Sequence, residues 1–202
     1  MQISPLPDWT STYRPAVEPG ELYYRYLARA LAGLDLATDG QVLGGQPLPR
    51  YFGEAELVVP GSYRKLAPPR ELWPNMVLPL ALALLLRQTM VAQGFGPLIV
   101  VATFRPGSGA GKSRHKVNAA IDLKPPKLTS GPCRAIMNGA AWLWRTHAHL
   151  NVGIGTYGPH MDRTTLVHID AGQRARRTCW RQVKGVSTTP AVSQLPPAAW
   201  EV

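Results

Sequence analysis

The sequence is short of acidic residues. Twelve Asp and Glu stand against 22 Lys and Arg, a formal charge of +10 over 202 residues. The surplus rules out an electrostatically neutral surface and favours polyanionic surroundings: nucleic acid, anionic lipid or an acidic cell-wall polymer. It does not choose among them. Cysteine is scarce as well. Cys133 and Cys179 are too few for a disulfide-built scaffold or an all-cysteine zinc site; one bridge and two separate thiols both stay open. Long apolar runs are missing. The longest, Met76 to Leu86, contains Pro79 and stops at Arg87, so no membrane-spanning segment is expected. The start, MQISPLPDW, has no basic region followed by an apolar run, so no secretory signal is expected either.

What is present reads as a folded chain. Hydrophobic residues make up 45% and charged residues 17%, close to globular averages. The length suffices for one sizeable core or two small ones. Gly (19) and Pro (20) together form about a fifth of the chain and predict many loops and short elements. Residues 1–20 read as an extended arm. Glu21 to Leu36 places Leu22, Tyr26, Leu27, Ala30, Leu31 and Leu34 at helical spacing, which predicts an amphipathic helix. Ala55–Val59 is a strand candidate. Met76–Gln93 reads as a buried helix ended by Gly94 and Gly96. Pro97–Phe104 is β-rich and apolar, as a central strand would be. Residues 114–124 suit two short strands around a turn. Cys133–Leu150 is helical in pattern, and Leu166–Asp170 is a short strand. Beyond Val183 no periodic pattern survives.

Pro106-Gly-Ser-Gly-Ala-Gly-Lys112-Ser113 imitates a phosphate-binding loop after a strand. Three features oppose that reading. Pro106 occupies the first required Gly and removes a backbone donor. Arg114-His-Lys-Val-Asn does not open an amphipathic helix that would face an anion. No later apolar strand ends in an obvious magnesium-binding Asp followed by the rest of an NTPase sheet. A glycine-rich loop is the better account.

The stronger signal runs on from the same place. His115 and Asp122 lie seven positions apart across a turn, with Asn118 suited to the turn because it tolerates positive φ. Leu166-Val-His168-Ile-Asp170 supplies a second His, and on a strand His168 and Asp170 share a face. Two imidazoles and one carboxylate make a normal zinc set with a fourth position left open, as in catalytic sites. Taken singly, His115 in a basic loop is ordinarily just solvated, and His168 between Val167 and Ile169 is ordinarily a core histidine. Spacing alone leaves both readings standing.

The ordered series Phe104-Arg105, Ser113-x-His115, Ala120-x-Asp122, Gly153-Ile-Gly155-x-Tyr157, Val167-His168-Ile169-Asp170-x-Gly172 and Trp180 resembles the M15 family of zinc peptidases. It is closest to the bacterial and phage murein peptidases with a S-x-H-x-x-G-x-A-x-D motif and a late H-x-D motif. The resemblance spans roughly residues 76–180. It implies an α+β fold, a small antiparallel sheet with flanking helices of the hedgehog/DD-peptidase kind. It implies Zn²⁺ as cofactor, with His115, Asp122 and His168 as its ligands. It implies that Arg105 holds a substrate carboxylate, which a guanidinium does with two parallel hydrogen bonds. Two positions depart from the pattern: Asn118 replaces a Gly, and Ala102-Thr-Phe-Arg105 replaces S-G-Y-R. Several relatives carry a catalytic Glu three residues before the last His; here that residue is Thr165. Asp170 is then the candidate general base, with a competing role as the carboxylate that orients His168. Asp162 and His160 are weaker candidates. His147 and His149 are read as structural.

The organisation that follows is an N-terminal arm plus helix over 1–60, an M15-like domain over 61–183 and a loose tail over 184–202. The implied substrate is a peptide bond of peptidoglycan, which an anionic wall and a +10 chain suit. Without a secretory signal, a protein made in the cytoplasm would reach the wall by holin release or within a virion, residues 1–60 docking on phage or injection-machine proteins. A second reading keeps the fold as a non-catalytic structural or binding component of a phage particle. Nucleic-acid binding is the weakest: Arg174, Arg176, Arg177 and Arg181 form a basic run, but no nucleic-acid motif accompanies it.

Overall fold

The computed structural model describes residues 20–34, 37–38, 41–42, 51–59, 62–106, 113–158, 164–171, 176, 178–183 and 186–188. Residues 1–19 of the arm expected over 1–20, the interior of the glycine loop (107–112), His160, Asp162, Gly172, Arg174, Arg177 and most of the tail lie outside the described residues; Gly20 already belongs to a helix.

The chain is α+β. Its helices are α1 (Gly20–Ala32), α2 (Glu54–Leu57), α3 (Val77–Ala92) and α4 (Ser130–Thr146). A small hairpin pairs β1 (Ala37–Thr38) with β2 (Gln41–Val42). The main sheet contains β3 (Ile99–Ala102), β4 (Ala120–Lys124), β5 (Gly153–Tyr157), β6 (Leu166–Asp170), β7 (Thr178–Val183) and β8 (Val186–Thr188). Their spatial order is β3-β4-β6-β5-β7-β8. Every neighbouring pair is antiparallel except β5 and β7.

The central helix is α3. Val77, Leu80, Ala81, Leu82, Ala83, Leu84, Leu86 and Met90 are buried around its whole circumference, as expected of a helix apolar on all sides. Pro79 is tolerated because first-turn N–H groups have no intrahelical partner. The helix ends as its glycines foretell. Gly94 takes φ 76°, and its N–H reaches Val91 O while Phe95 N–H reaches Met90 O, a Schellman closure. A seven-residue 3₁₀ segment, Arg70–Met76, leads into α3. The combined run Arg70–Ala92 has the length and composition of a membrane span, longer than the Met76–Leu86 stretch suggests. In this fold it threads the core, packing on α4, β4 and β6.

Sheet alternation separates two faces. Ile121, Leu123, Ile154, Val167 and Ile169 turn into the hydrophobic core with α3 and α4. Ala120, Asp122, Gly153, Gly155, His168 and Asp170 take the opposite face.

Some elements differ from the sequence pattern. Helix α1 begins and ends earlier than 21–36, and its buried stripe is Tyr23, Leu27 and Leu31, while Leu22 is exposed. Tyr23 has an interior hydrogen-bond partner, which decides the rotation. Residues 54–57 are a helical turn, not a strand: the Glu56 carboxylate accepts the Gly53 N–H at 3.0 Å, a helix-starting contact. Glu56 also pairs with buried Arg87 of α3 at 2.7 Å. Residues 114–117 form a 3₁₀ turn rather than a strand, so only β4 of the expected pair exists. Part of the expected loose tail, Val186–Thr188, is strand β8. Helix α1 and residues 52–58 share one core with the rest of the described chain. Cys133 and Cys179 are not bridged.

Candidate metal centre

Strand register builds the site. Ala102, Asp122, His168, Gly155 and Trp180 occupy one lateral row across five strands. Between Val100 and Ala102 the β3–β4 register shifts, a bulge of the sort that re-aims a strand end beside a site. Just past it, Thr103 O accepts the His115 Nδ1–H at 2.6 Å, and Arg105 N–H donates to His115 O at 3.2 Å.

His115 sits on the 3₁₀ turn Arg114–Val117, which Asn118 closes in the left-handed region (φ 55°, ψ 33°). Asn takes that conformation more readily than most side chains, which accounts for its presence where the resembling motif has Gly. The turn is tied down from outside. Tyr23 OH donates to Asn118 Oδ1 at 3.0 Å, Asn118 Nδ2 donates to Leu72 O at 3.0 Å, and Asn75 Nδ2 donates to Val117 O at 2.9 Å.

The consequence is a three-residue cluster. His168 Nδ1 lies 2.8 Å from Asp122 Oδ1, His115 Nε2 lies 3.1 Å from the same oxygen, and the two ring nitrogens are 3.2 Å apart. All three residues are buried. His168 Nε2–H donates to Asp170 Oδ2 at 3.0 Å, and Asp170 is fully buried.

Counting protons shows what this triangle is for. The outer nitrogen of each ring faces an acceptor: a carbonyl for His115, a carboxylate for His168. Each neutral ring therefore spends its proton outward and presents a lone pair inward. Two lone pairs and a carboxylate oxygen then converge on one point, which is repulsive unless a proton or a cation lies there. A tetrahedral zinc with ligands at ~2.0–2.1 Å separates its donor atoms by about 3.3 Å, near the spacings found. The donor set thus fits a divalent cation, and these residues are the group among the described ones able to hold a metal.

Charge effects agree. Without a cation a proton takes its place between the rings and Asp122: burial raises the cost of ionising the Asp122 carboxyl, yet the hydrogen bonds and charge that such protons provide from the His115 and His168 side outweigh it and hold the carboxyl well below its usual range. Burial opposes charge on His168, but the Asp122 and Asp170 carboxylates overcome it and push the ring up to about 9. For His115 burial prevails, and its affinity for a proton falls below normal.

Arg105 stands beside the cluster, its guanidinium 3.8 Å from Asp122 Oδ2 and 26% exposed. Its buried Nε has no hydrogen-bond partner among the described residues. Asp170 approaches the ring nitrogen that points away from the triangle, the geometry of an orienting carboxylate. Thr165 is exposed and bonds the Tyr157 carbonyl. His147 is buried against Trp142 and bonds Thr146; neither it nor His149 joins the cluster.

Two side chains quoted only as motif letters prove to be part of the site. The Trp180 ring lies 5.2 Å from the His168 ring, reached by crossing Gly155, where any Cβ would overlap the indole. Tyr157 keeps its proton to higher pH than usual, first through burial and then through the Asp122 charge, and it is hydrogen-bonded to Trp180. The glycine facing Trp180 across a strand pair was the available sequence signal, but it is readable only once β5 and β7 are known to pair. Comparison of the chain with family models, with curated proteins and with solved structures finds no match in any of the three.

Proposed function

We propose that the protein is a zinc-dependent peptidase acting on peptide bonds of bacterial peptidoglycan. The observation that carries this is the inward convergence of His115 Nε2, Asp122 Oδ1 and His168 Nδ1, with both rings' outer protons committed elsewhere. The ordered M15-like motifs supply the substrate class. Bound by these three residues, zinc would contribute Lewis acidity toward a carbonyl and acidify a water. The chain's own groups do the rest. Thr103 O and Asp170 fix the two ring tautomers. Arg105 offers a guanidinium fork to a substrate carboxylate. Tyr157 holds its proton at Oη and stays a donor, and Trp180 shields one side of His168 from water.

A second reading has its own support. Thr165 replaces the family's glutamate, and Asp170 is committed to the far nitrogen of His168. Both features suit a metal-holding binding module of a phage particle. One experiment separates the two: metal analysis of purified protein, then digestion of purified muropeptides with wild type and Asp122→Asn. The expected result is one zinc per chain, cleavage by wild type, and loss of both in the variant. One zinc without cleavage of any muropeptide would establish the binding module; no bound metal would defeat both readings.

A further inference from the structure

The sheet sets the open side of the metal cluster. One step along the strands from the cluster row, Ala120, Gly153 and Asp170 are buried. One step the other way stand Lys124, Leu166, Tyr157 and Gln182, all part-exposed, with Ile99 exposed at the end. A ligand therefore reaches the cluster across this second row, and Tyr157 carries the one hydroxyl in it.

Tyr157 does not stand straight out from its own row. Its side chain is hydrogen-bonded to Trp180, whose indole lies across Gly155, with Nε1 2.7 Å from where a Cβ would be. An indole N–H only donates, so the Tyr157 oxygen is the acceptor and lies close above Gly155. Gly155 pairs directly with His168, and positions paired in this way have Cβ atoms about 4.5–5.5 Å apart. The same indole packs on the His168 ring at 5.2 Å. The hydroxyl is thus drawn back over the cluster row, where the charges of Asp122 and Arg105 both act on it. With the oxygen accepting from Trp180, the phenol's own hydrogen is left to donate, and among the described residues no side chain accepts it.

We propose that Tyr157 is a catalytic residue of this centre, its Oη–H donating to the carbonyl oxygen of the bond being cut. The inference rests on the peptidase reading. When a nucleophilic oxygen adds to the carbonyl carbon, the π pair of the C=O bond moves onto the carbonyl oxygen. A donor already aimed at that oxygen gains most where the charge develops. The phenol makes a hydrogen bond and keeps its proton throughout.

Tyr157→Phe deletes the hydroxyl alone. Zinc-loaded wild type and variant are compared by steady-state cleavage of purified muropeptides and by calorimetric titration with a phosphinate peptide. The phosphinate places a tetrahedral, anionic oxygen where the carbonyl oxygen of the cut bond would be. The variant is expected to keep its zinc and its KM, with kcat down about 100-fold. Its affinity for the phosphinate should fall by a similar factor, while affinity for the product peptides stays as in wild type. An unchanged kcat would overturn the proposal. So would an equal fall in affinity for phosphinate and products, the mark of a residue that only shapes the site. Wild type that holds zinc and cleaves no muropeptide would sink the peptidase reading and this inference with it. Cleavage by wild type that the variant matches would sink this inference alone.

Discussion

At the residue scale, the two histidines differ in what holds them. His115 is fixed by a backbone carbonyl, which any residue at 103 would supply, so no side-chain change at Thr103 should release it. His168 is fixed by the Asp170 carboxylate, which a substitution removes. Asp170→Asn should fold and still take up metal, with affinity lowered about 10- to 100-fold, the usual effect of losing a carboxylate behind a metal-binding imidazole; competition against a zinc chelator reads it. Gly155 carries a different constraint. Gly155→Ala should destabilise the protein by about 1–3 kcal/mol through overpacking against Trp180, and Trp180→Ala in the same chain should restore much of the loss. Denaturant melts of the single and double variants measure both.

At the element scale, the turn bearing His115 is built by its neighbours. Tyr23 of α1 and Leu72 of the 3₁₀ segment both bond Asn118, so helix α1 supports the His115–Asp122–His168 cluster from behind. Asn118→Gly keeps the left-handed turn but loses two buried hydrogen bonds. Asn118→Ala loses them and adds roughly 1–2 kcal/mol of backbone strain. The alanine variant should therefore melt lower than the glycine one. Tyr23→Phe strands the buried Asn118 oxygen and should cost about 1–3 kcal/mol. These ranks fail if α1 merely lies on the surface, because then Tyr23→Phe would leave the melt unchanged.

At the scale of the whole molecule, one sheet serves two purposes: its inner face joins α3 and α4 in the core, and its outer face carries the cluster. Stability is thereby linked to pH through His168. Its folded pKa of about 9 exceeds the unfolded value of about 6.5. The contribution is fully present below the unfolded value and disappears as pH rises through about 9. In a chelator, the protein should thus lose stability from this group as pH climbs from about 6.5 to about 9. With excess zinc the slope should reverse, because the metal needs the lone pairs that protons otherwise occupy. Melts across that window, with and without zinc, check the sign.

Much of this was legible in the chain itself, where local chemistry decides. Gly94 ends α3 because a left-handed residue was needed one step past the helix, and Asn118 turns the backbone for the same reason. Alternation along a strand, a local property, put His168 and Asp170 on one face, while spacing alone left open whether His115, Asp122 and His168 belong together, and only the ordered motif series grouped them. Other features were not legible. The inward nitrogen of each ring depends on a carbonyl twelve residues away for His115, and Asp170's place on the far side of His168 depends on the ring's orientation. The buried stripe of α1 is rotated by a hydrogen bond to a residue 95 positions on. Trp180 reaches His168 only because β7 runs parallel to β5 opposite a glycine. Chain-local preferences pick the residues and the turns; non-local register and hydrogen bonding decide which atoms meet.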